Sequence, residues 1–221
     1  MPPSLWPYAA GGAGRPPRIM PEATRRKESV FALVLAAGRS TRMGQKPKLL
    51  LPFGTSTILG CVLDTVVSAP IDRGYVVLGA WREVIEPIIR PYPVSIVINP
   101  DFDRGMLSSV QAGFRALPYG EGAVFVVPGD HPAMSAAVFD RLLEVRAESG
   151  AGLVVPQFAG RGGHPLLVDI RFRADIEALD PAIGLRGLLD LHPGSVKRVP
   201  LEDAGIVLDI DTPDDYRKAR P

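Results

Sequence analysis

Four short runs of this sequence are almost wholly apolar: Val30–Leu35, Tyr75–Leu78, Val94–Ile98 and Ala123–Val127. A strand with one face in water alternates polar and apolar residues. A solid run instead suits the middle of a sheet covered on both sides. Helix-length segments separate the runs. They are predicted over about 57–68, 107–117 and 135–149, with a shorter one after Trp81 that Pro87 interrupts. Thr57 can cap the first of these, and Ile58, Val62 and Val66 then share one face. Strands alternating with helices imply βαβ units. The expected fold class is therefore α/β, a three-layer arrangement around a mainly parallel sheet with right-handed crossovers.

A further strand is expected at 153–155, and after Pro156 the rhythm changes. Gly160–Pro165 reads as a turn before a strand at 166–168. Helices near 172–179 and 185–191 follow, then late strands at 195–199 and 206–210. Thr212 and Pro213 fit the N-cap and first position of a last helix. There are no internal repeats, and 221 residues suit one α/β domain. The domain is expected over 30–221. Residues 1–29 are rich in Pro, Gly and Ala and read as a disordered leader, with Met1 and Met20 both candidate starts.

Composition excludes several classes of function. The 25 basic and 24 acidic residues leave a net charge of +1, so nothing in the charge balance favours nucleic acid or an anionic membrane. Local charge for a small anionic substrate is still allowed. Cys61 is the single cysteine, which rules out an internal disulfide, and it sits in an apolar helical run where a buried, inert thiol is expected. No signal peptide or membrane-length apolar run is visible, so a cytoplasmic location is expected.

The first apolar run leads directly into Leu35-Ala36-Ala37-Gly38-Arg39-Ser40-Thr41-Arg42-Met43-Gly44, followed by Pro47-Lys48-Leu49-Leu50-Leu51-Pro52. Glycine allows tight turning and close approach to a ligand, and successive backbone N–H groups form an anion-binding concavity. Arg42 and Lys48 add fixed positive charge. The stretch reads as a triphosphate cradle, although it lacks the spacing of the P-loop and of the dinucleotide fingerprint. A purely structural turn would not call for both cations. In open α/β sheets ligands lie beyond the carboxyl ends of the strands. Asp130, in Pro128-Gly129-Asp130-His131-Pro132, falls at another such end. A carboxylate facing a triphosphate loop suits a Mg²⁺ ion between them, which takes one or two carboxylates plus phosphate oxygens and water. Asp130 could equally cap the helix near Ser135.

These motifs resemble the nucleotidyltransferases that make nucleoside-diphosphate products, in particular the molybdenum cofactor cytidylyltransferases and their guanylyltransferase relatives. The resemblance spans about Val30 to Tyr216 and implies a Rossmann-like fold of the nucleotide-diphospho-sugar transferase type. It implies nucleotide contacts at Leu35, Ala36, Ala37, Gly38, Ser40, Gly44, Pro128 and Gly129, and at Ser109 and Gly113 in the Gly105–Gly113 element. Lys48, Arg42 and Asp130 would be catalytic. Gly163-His164-Pro165 would face the acceptor, with His131 lining the cleft. His192, in a turn, is expected to be exposed. Asp130 and Asp211 would hold Mg²⁺. Asp209 is a rival to Asp211, since alternation along a strand would aim both at one face. Lys46 likewise remains a rival to Lys48, because each matches one family spacing.

The resemblance further implies the reaction. An acceptor phosphate attacks the α-phosphorus of a nucleoside triphosphate, and pyrophosphate leaves. A phosphate with a second pKa near about 6 needs no dedicated base. Cytidylyltransferases of the family carry Leu-Ala-Ala-Gly, so Ala37 points to CTP and a molybdopterin-type acceptor, with delivery to a molybdoenzyme. GTP, a sugar phosphate, methylerythritol phosphate or phospholactate remain alternatives, as does a non-catalytic delivery module.

Overall fold

A computed structural model describes residues 28–44 and 46–220. Most of the expected leader, residues 1–27, lies outside these. The first strand begins at Ser29, and Glu28 before it pairs with Arg146 at 2.6 Å.

The elements follow in order β1 (Ser29–Ala36), β2 (Pro52–Phe53), β3 (Ser56–Thr57), α1 (Ile58–Ser68), β4 (Arg73–Leu78), α2 (Arg82–Ile89), β5 (Val94–Ile98), α3 (Met106–Ala116), β6 (Gly122–Pro128) and α4 (Ala136–Ser149). Then come β7 (Leu153–Phe158), β8 (Arg161–Gly162), β9 (Leu166–Asp169), α5 (Arg173–Ala178), α6 (Arg186–Leu191), β10 (Val196–Pro200) and α7 (Pro213–Ala219). The main sheet runs β10-β7-β9-β6-β1-β4-β5, with β8 beside β7. β1 pairs in parallel with both β4 and β6, and β10 pairs in parallel with β7. Among the described residues of this sheet, only β8 and β9 run antiparallel to their neighbours.

The apolar run of β1 shows why the sheet is covered on both faces. Val30, Ala32, Val34 and Ala36 pack into one core with α1, α2 and α4, while Phe31 and Leu33 pack into another with α3, α5 and α6. Gly113 lets α3 lie against this second face, because a Cβ there would meet the Leu33 side chain at 2.2 Å. The chain leaves β1 towards β4 on one side and leaves β6 towards β7 on the other. The ends of β1 and β6 therefore form a topological switch point, where a ligand crevice opens.

The expected strand at 206–210 is absent. Ala204–Val207 forms a 3-10 turn, and the following residues cross the end of β6. Ile210 is fully buried, and its N–H donates to the Asp130 carbonyl at 3.1 Å. Alternating polar and apolar residues here reflect one anchored side chain in a crossing segment. His192 also departs from expectation. It is half-buried, 3.0 Å from Asp175 and packed on the Phe172 ring. Cys61 is half-buried, and burial raises its pKa, as suits an inert thiol. Among the described residues no helix is long and apolar enough to cross a membrane.

Candidate active site

The switch point opens into a cavity of about 340 Å³. Its β1 side is made by Leu35, Ala36, Ala37, Gly38, Ser40, Thr41 and Arg42. Ser40 sits in the left-handed region at φ 56° and Gly44 at φ 69°, so the loop folds back on itself at both ends of a short 3-10 turn. The Ser40 hydroxyl accepts a hydrogen bond from the Lys48 N–H at 3.2 Å. This bond ties the loop to the turn that carries the lysine.

Outside the cavity the loop is strapped to its neighbours. Arg39 makes two bonds to the Asp103 carboxylate, at 2.5 and 2.6 Å, and lies over the Phe102 ring. Trp81 donates its indole N–H to the Arg39 carbonyl at 3.0 Å.

The opposite wall comes from the β5–α3 connection. Phe102, Gly105, Met106 and Ser109 line it. Asn99 is buried behind Ser109 and donates to the hydroxyls of Ser108 and Ser109 at 2.9 and 3.0 Å. Ser108 in turn bonds the Gly105 carbonyl, which fixes the first turn of α3.

Four charged side chains meet at the mouth. Lys48 Nζ lies 2.7 Å from Asp130 Oδ2 and 2.8 Å from Asp211 Oδ1. Arg42 bonds the second oxygen of Asp211. The Lys48 side chain is only 13 % exposed, against 22 % for Asp130 and 34 % for Asp211, so these charges interact with reduced solvent screening. Burial opposes a charged Lys48, but the two aspartates outweigh it and hold its pKa above the usual lysine range. The hydrogen bond from Lys48 holds the Asp211 carboxyl below its ordinary value, although burial works the other way.

Backbone contacts explain how residues so distant in sequence arrive together. Gly129 ends β6 with its N–H on the Leu35 carbonyl, where a Cβ would come within 2.8 Å of that oxygen. Asp130 is thereby set beside the β1 loop. The Ile210 bond to Asp130 docks the next segment, and Thr212 then starts α7. Thr212 and Asp215 form a reciprocal capping box, which fixes the backbone directly after Asp211. Tyr216 anchors α7 to the Pro52 carbonyl at 2.6 Å, close to the lysine turn.

Several expected site residues lie elsewhere. Lys46 is exposed and outside the cavity, as is Asp209, because no strand aligns Asp209 with Asp211. Gly44, Gly113 and Gly129 shape backbone and packing without lining the cavity. Gly163, His164 and Pro165 lie behind the aspartates, and so does His131, which is buried and not part of the cavity wall. The rings of His131 and His164 meet edge to face at 5.3 Å, and the Nδ1 atoms of both are buried without a partner. Burial keeps both histidines neutral, pushing His164 down to about 4.

Thr41, Leu49, Phe102, Gly105 and Met106 line the cavity but were not singled out from sequence. The Gly105–Gly113 motif was a usable signal for Gly105 and Met106. Asn99 followed a strand without any local mark of its role.

The site's chemistry suits an anionic ligand with a hard cation. Two carboxylates offer oxygen donors, and Arg42, Lys48 and the loop amides offer positive charge. Among the described residues there is no group of three or more His, Cys, Asp or Glu side chains poised to hold a metal. Any cation here must complete its shell with water and ligand oxygens, which fits Mg²⁺ or Mn²⁺.

Comparison with known proteins agrees with this geometry. Residues 32–198 match the MobA-like NTP transferase domain. The molybdenum cofactor cytidylyltransferase of Escherichia coli K12 is 31 % identical over 193 residues, covering 87 % of this chain and 96 % of that protein. Nicotine blue oxidoreductase of Paenarthrobacter nicotinovorans is 28 % identical over 83 % of this chain and 92 % of its own length. The structure of Rv0371C from Mycobacterium tuberculosis H37Rv, in complex with manganese, superposes with a TM-score of 0.70 at 27 % identity, covering 87 % of this chain and 98 % of that one. The β1 loop, the sheet order and the match across most of its length place this chain in the family of MobA-like NTP transferases, which are nucleotidyltransferases.

Proposed function

We propose that the protein transfers CMP from CTP to a phosphate-bearing, molybdopterin-type acceptor and releases pyrophosphate. The observation that carries this reading is Lys48 held between Asp130 and Asp211, at the switch point where the β1 loop opens. The E. coli relative, by its name a molybdenum cofactor cytidylyltransferase, supports the choice of nucleotide and acceptor.

In this reading the loop amides from Ala37 to Ser40 cradle the triphosphate. Arg42 and Lys48 offset charge that builds on the phosphates as the bond to pyrophosphate breaks. Asp130 and Asp211 would hold a divalent cation such as Mg²⁺, which when bound neutralises phosphate charge and aligns the leaving group. Ala37 and Ser109 both line the cleft, and in this reading the base lies against Ala37, whose methyl limits room and favours a pyrimidine. Gly163-His164-Pro165 would back the acceptor side from behind the aspartates without lining it. His131 and His164 are kept neutral by burial, so neither is poised as a proton acceptor, and an ionised acceptor phosphate needs none. Catalysis is then positioning and charge neutralisation. The product would pass to a molybdoenzyme.

The test is pyrophosphate release from CTP, GTP, ATP and UTP with Mg²⁺, each with and without the molybdopterin-type cofactor. Release from CTP only when the cofactor is present is the expected result. A preference for GTP would keep the reaction and overturn the Ala37 argument. Release that needs a different acceptor phosphate would overturn the acceptor.

A further inference from the structure

Between Asp130 and Asp211, one position is taken by a cation the chain itself supplies. Lys48 Nζ donates to one oxygen of each carboxylate, at 2.7 and 2.8 Å, and Arg42 takes the remaining oxygen of Asp211. Two formal negative charges thus face two formal positive ones, and the cluster is balanced. A divalent ion bridging the two oxygens that Lys48 holds would have to take the place of the ammonium. It would gain no net attraction from the balanced cluster and would have to displace two charge-assisted hydrogen bonds.

We propose that Lys48 is a placeholder cation, which keeps the two aspartates paired and aligned until a triphosphate arrives and makes the site accept a divalent ion only together with nucleotide. The proposal rests on the reading of Asp130 and Asp211 as metal ligands. Binding is an exchange of partners. The phosphates give Lys48 and Arg42 new anionic partners, and the aspartates, released from the lysine, take the incoming cation. Each charged side chain keeps a partner of opposite sign at both stages. The Ser40–Lys48 bond joins the lysine turn to the loop that receives the phosphates, so filling the loop and releasing the lysine act on one connected piece of backbone. Without Lys48 the same cluster carries a net negative charge, and it becomes a site for a divalent ion alone.

The experiment is Mn²⁺ binding to nucleotide-free protein, followed by loss of the free-ion electron paramagnetic resonance signal. It needs no turnover. The wild-type protein is compared with Lys48→Met and, because the apolar variant can fail to fold, with Lys48→Gln, which is one atom shorter and keeps a hydrogen-bond donor but not the charge. Circular dichroism checks that each is folded. The expected result is weak Mn²⁺ binding by the wild type without nucleotide, and affinity about tenfold or more higher in the lysine variants. Adding Asp130→Asn to either should abolish the gain.

Equal Mn²⁺ affinity in wild type and both lysine variants overturns the placeholder. If the wild type then still binds Mn²⁺ with CTP in an Asp130-dependent way, the metal-ligand reading survives alone. A gain that persists in the Asp130→Asn background places the ion elsewhere and overturns both.

Discussion

Replacing His164 with Gln should change how stability depends on acid, by an amount the structure sets. His164 Nδ1 is buried with no partner. Burial disfavours its charged form, and the neighbouring His131 adds to this. The Val126 carbonyl and Asp130 act the other way but are outweighed, and the pKa falls from 6.5 to about 4. The unfolded chain therefore binds a proton at higher pH than the folded one. The stabilisation is fully present above about pH 6.5 and is lost progressively as pH falls towards about 4, where the loss levels off. At 1.36 kcal/mol per unit of pKa, this one group should remove about 2 kcal/mol between pH 7 and pH 5. The assay is urea unfolding of wild type and His164→Gln at half-unit steps across that range. Differencing the two proteins cancels the titratable groups remote from His164, leaving those in contact with it. The expected outcome is a wild-type deficit that grows by about 2 kcal/mol towards pH 5. Parallel stability curves would refute the reasoning and mean that His164 already carries a proton in the fold or has found a polar partner there.

Lys48→Ala should lower kcat by about 10²–10³, the usual cost of losing one preorganised contact to developing charge, while Lys46→Ala stays within a few-fold of wild type in the same pyrophosphate assay. The opposite pattern would move the catalytic lysine by two residues. Ala37→Gly should shift the CTP:GTP ratio of kcat/KM towards GTP by about tenfold, since one methyl in a pocket is worth that order of discrimination. An unchanged ratio would mean that the base does not lie against Ala37. Thr212→Ala removes the capping box of α7 and should cost about 1 kcal/mol in thermal unfolding. It should also raise the Mn²⁺ concentration needed for half-maximal turnover, because Asp211 sits directly before the cap. A lowered melting temperature without that change would leave Thr212 a purely structural cap.

Much of this site was legible because its chemistry is local. The β1 run and its glycine-bearing loop lie in one unbroken stretch, and Thr212-Pro213 announces the start of α7 within two residues. Other parts depend on meetings that sequence spacing does not encode. Lys48 and Asp211 are 163 residues apart, and their meeting follows from the Gly129 contact with Leu35 and the Ile210 contact with Asp130. Neither contact leaves a periodic trace. Leu166–Val168 is as apolar as its neighbours, and an apolar run says nothing about direction, so the antiparallel insertion of β9 between β6 and β7 was invisible. Asp209-Ile210-Asp211 has the alternation of a strand because one buried residue between two polar ones satisfies that pattern anywhere.

The same limit decided the rival assignments. Lys46 and Lys48 each fit a family spacing, as do Asp209 and Asp211. Motif distance alone therefore could not separate them. What separates them is which member of each pair faces the end of β6, a property of chain crossing and not of residue type. The geometry places Lys48 between Asp130 and Asp211 and leaves Lys46 and Asp209 in solvent. The lysine and aspartate were thus chosen by two backbone contacts, Gly129 on Leu35 and Ile210 on Asp130, and a change that loosened Ile210 from Asp130 would be expected to release Asp211 while leaving Lys48 on Asp130.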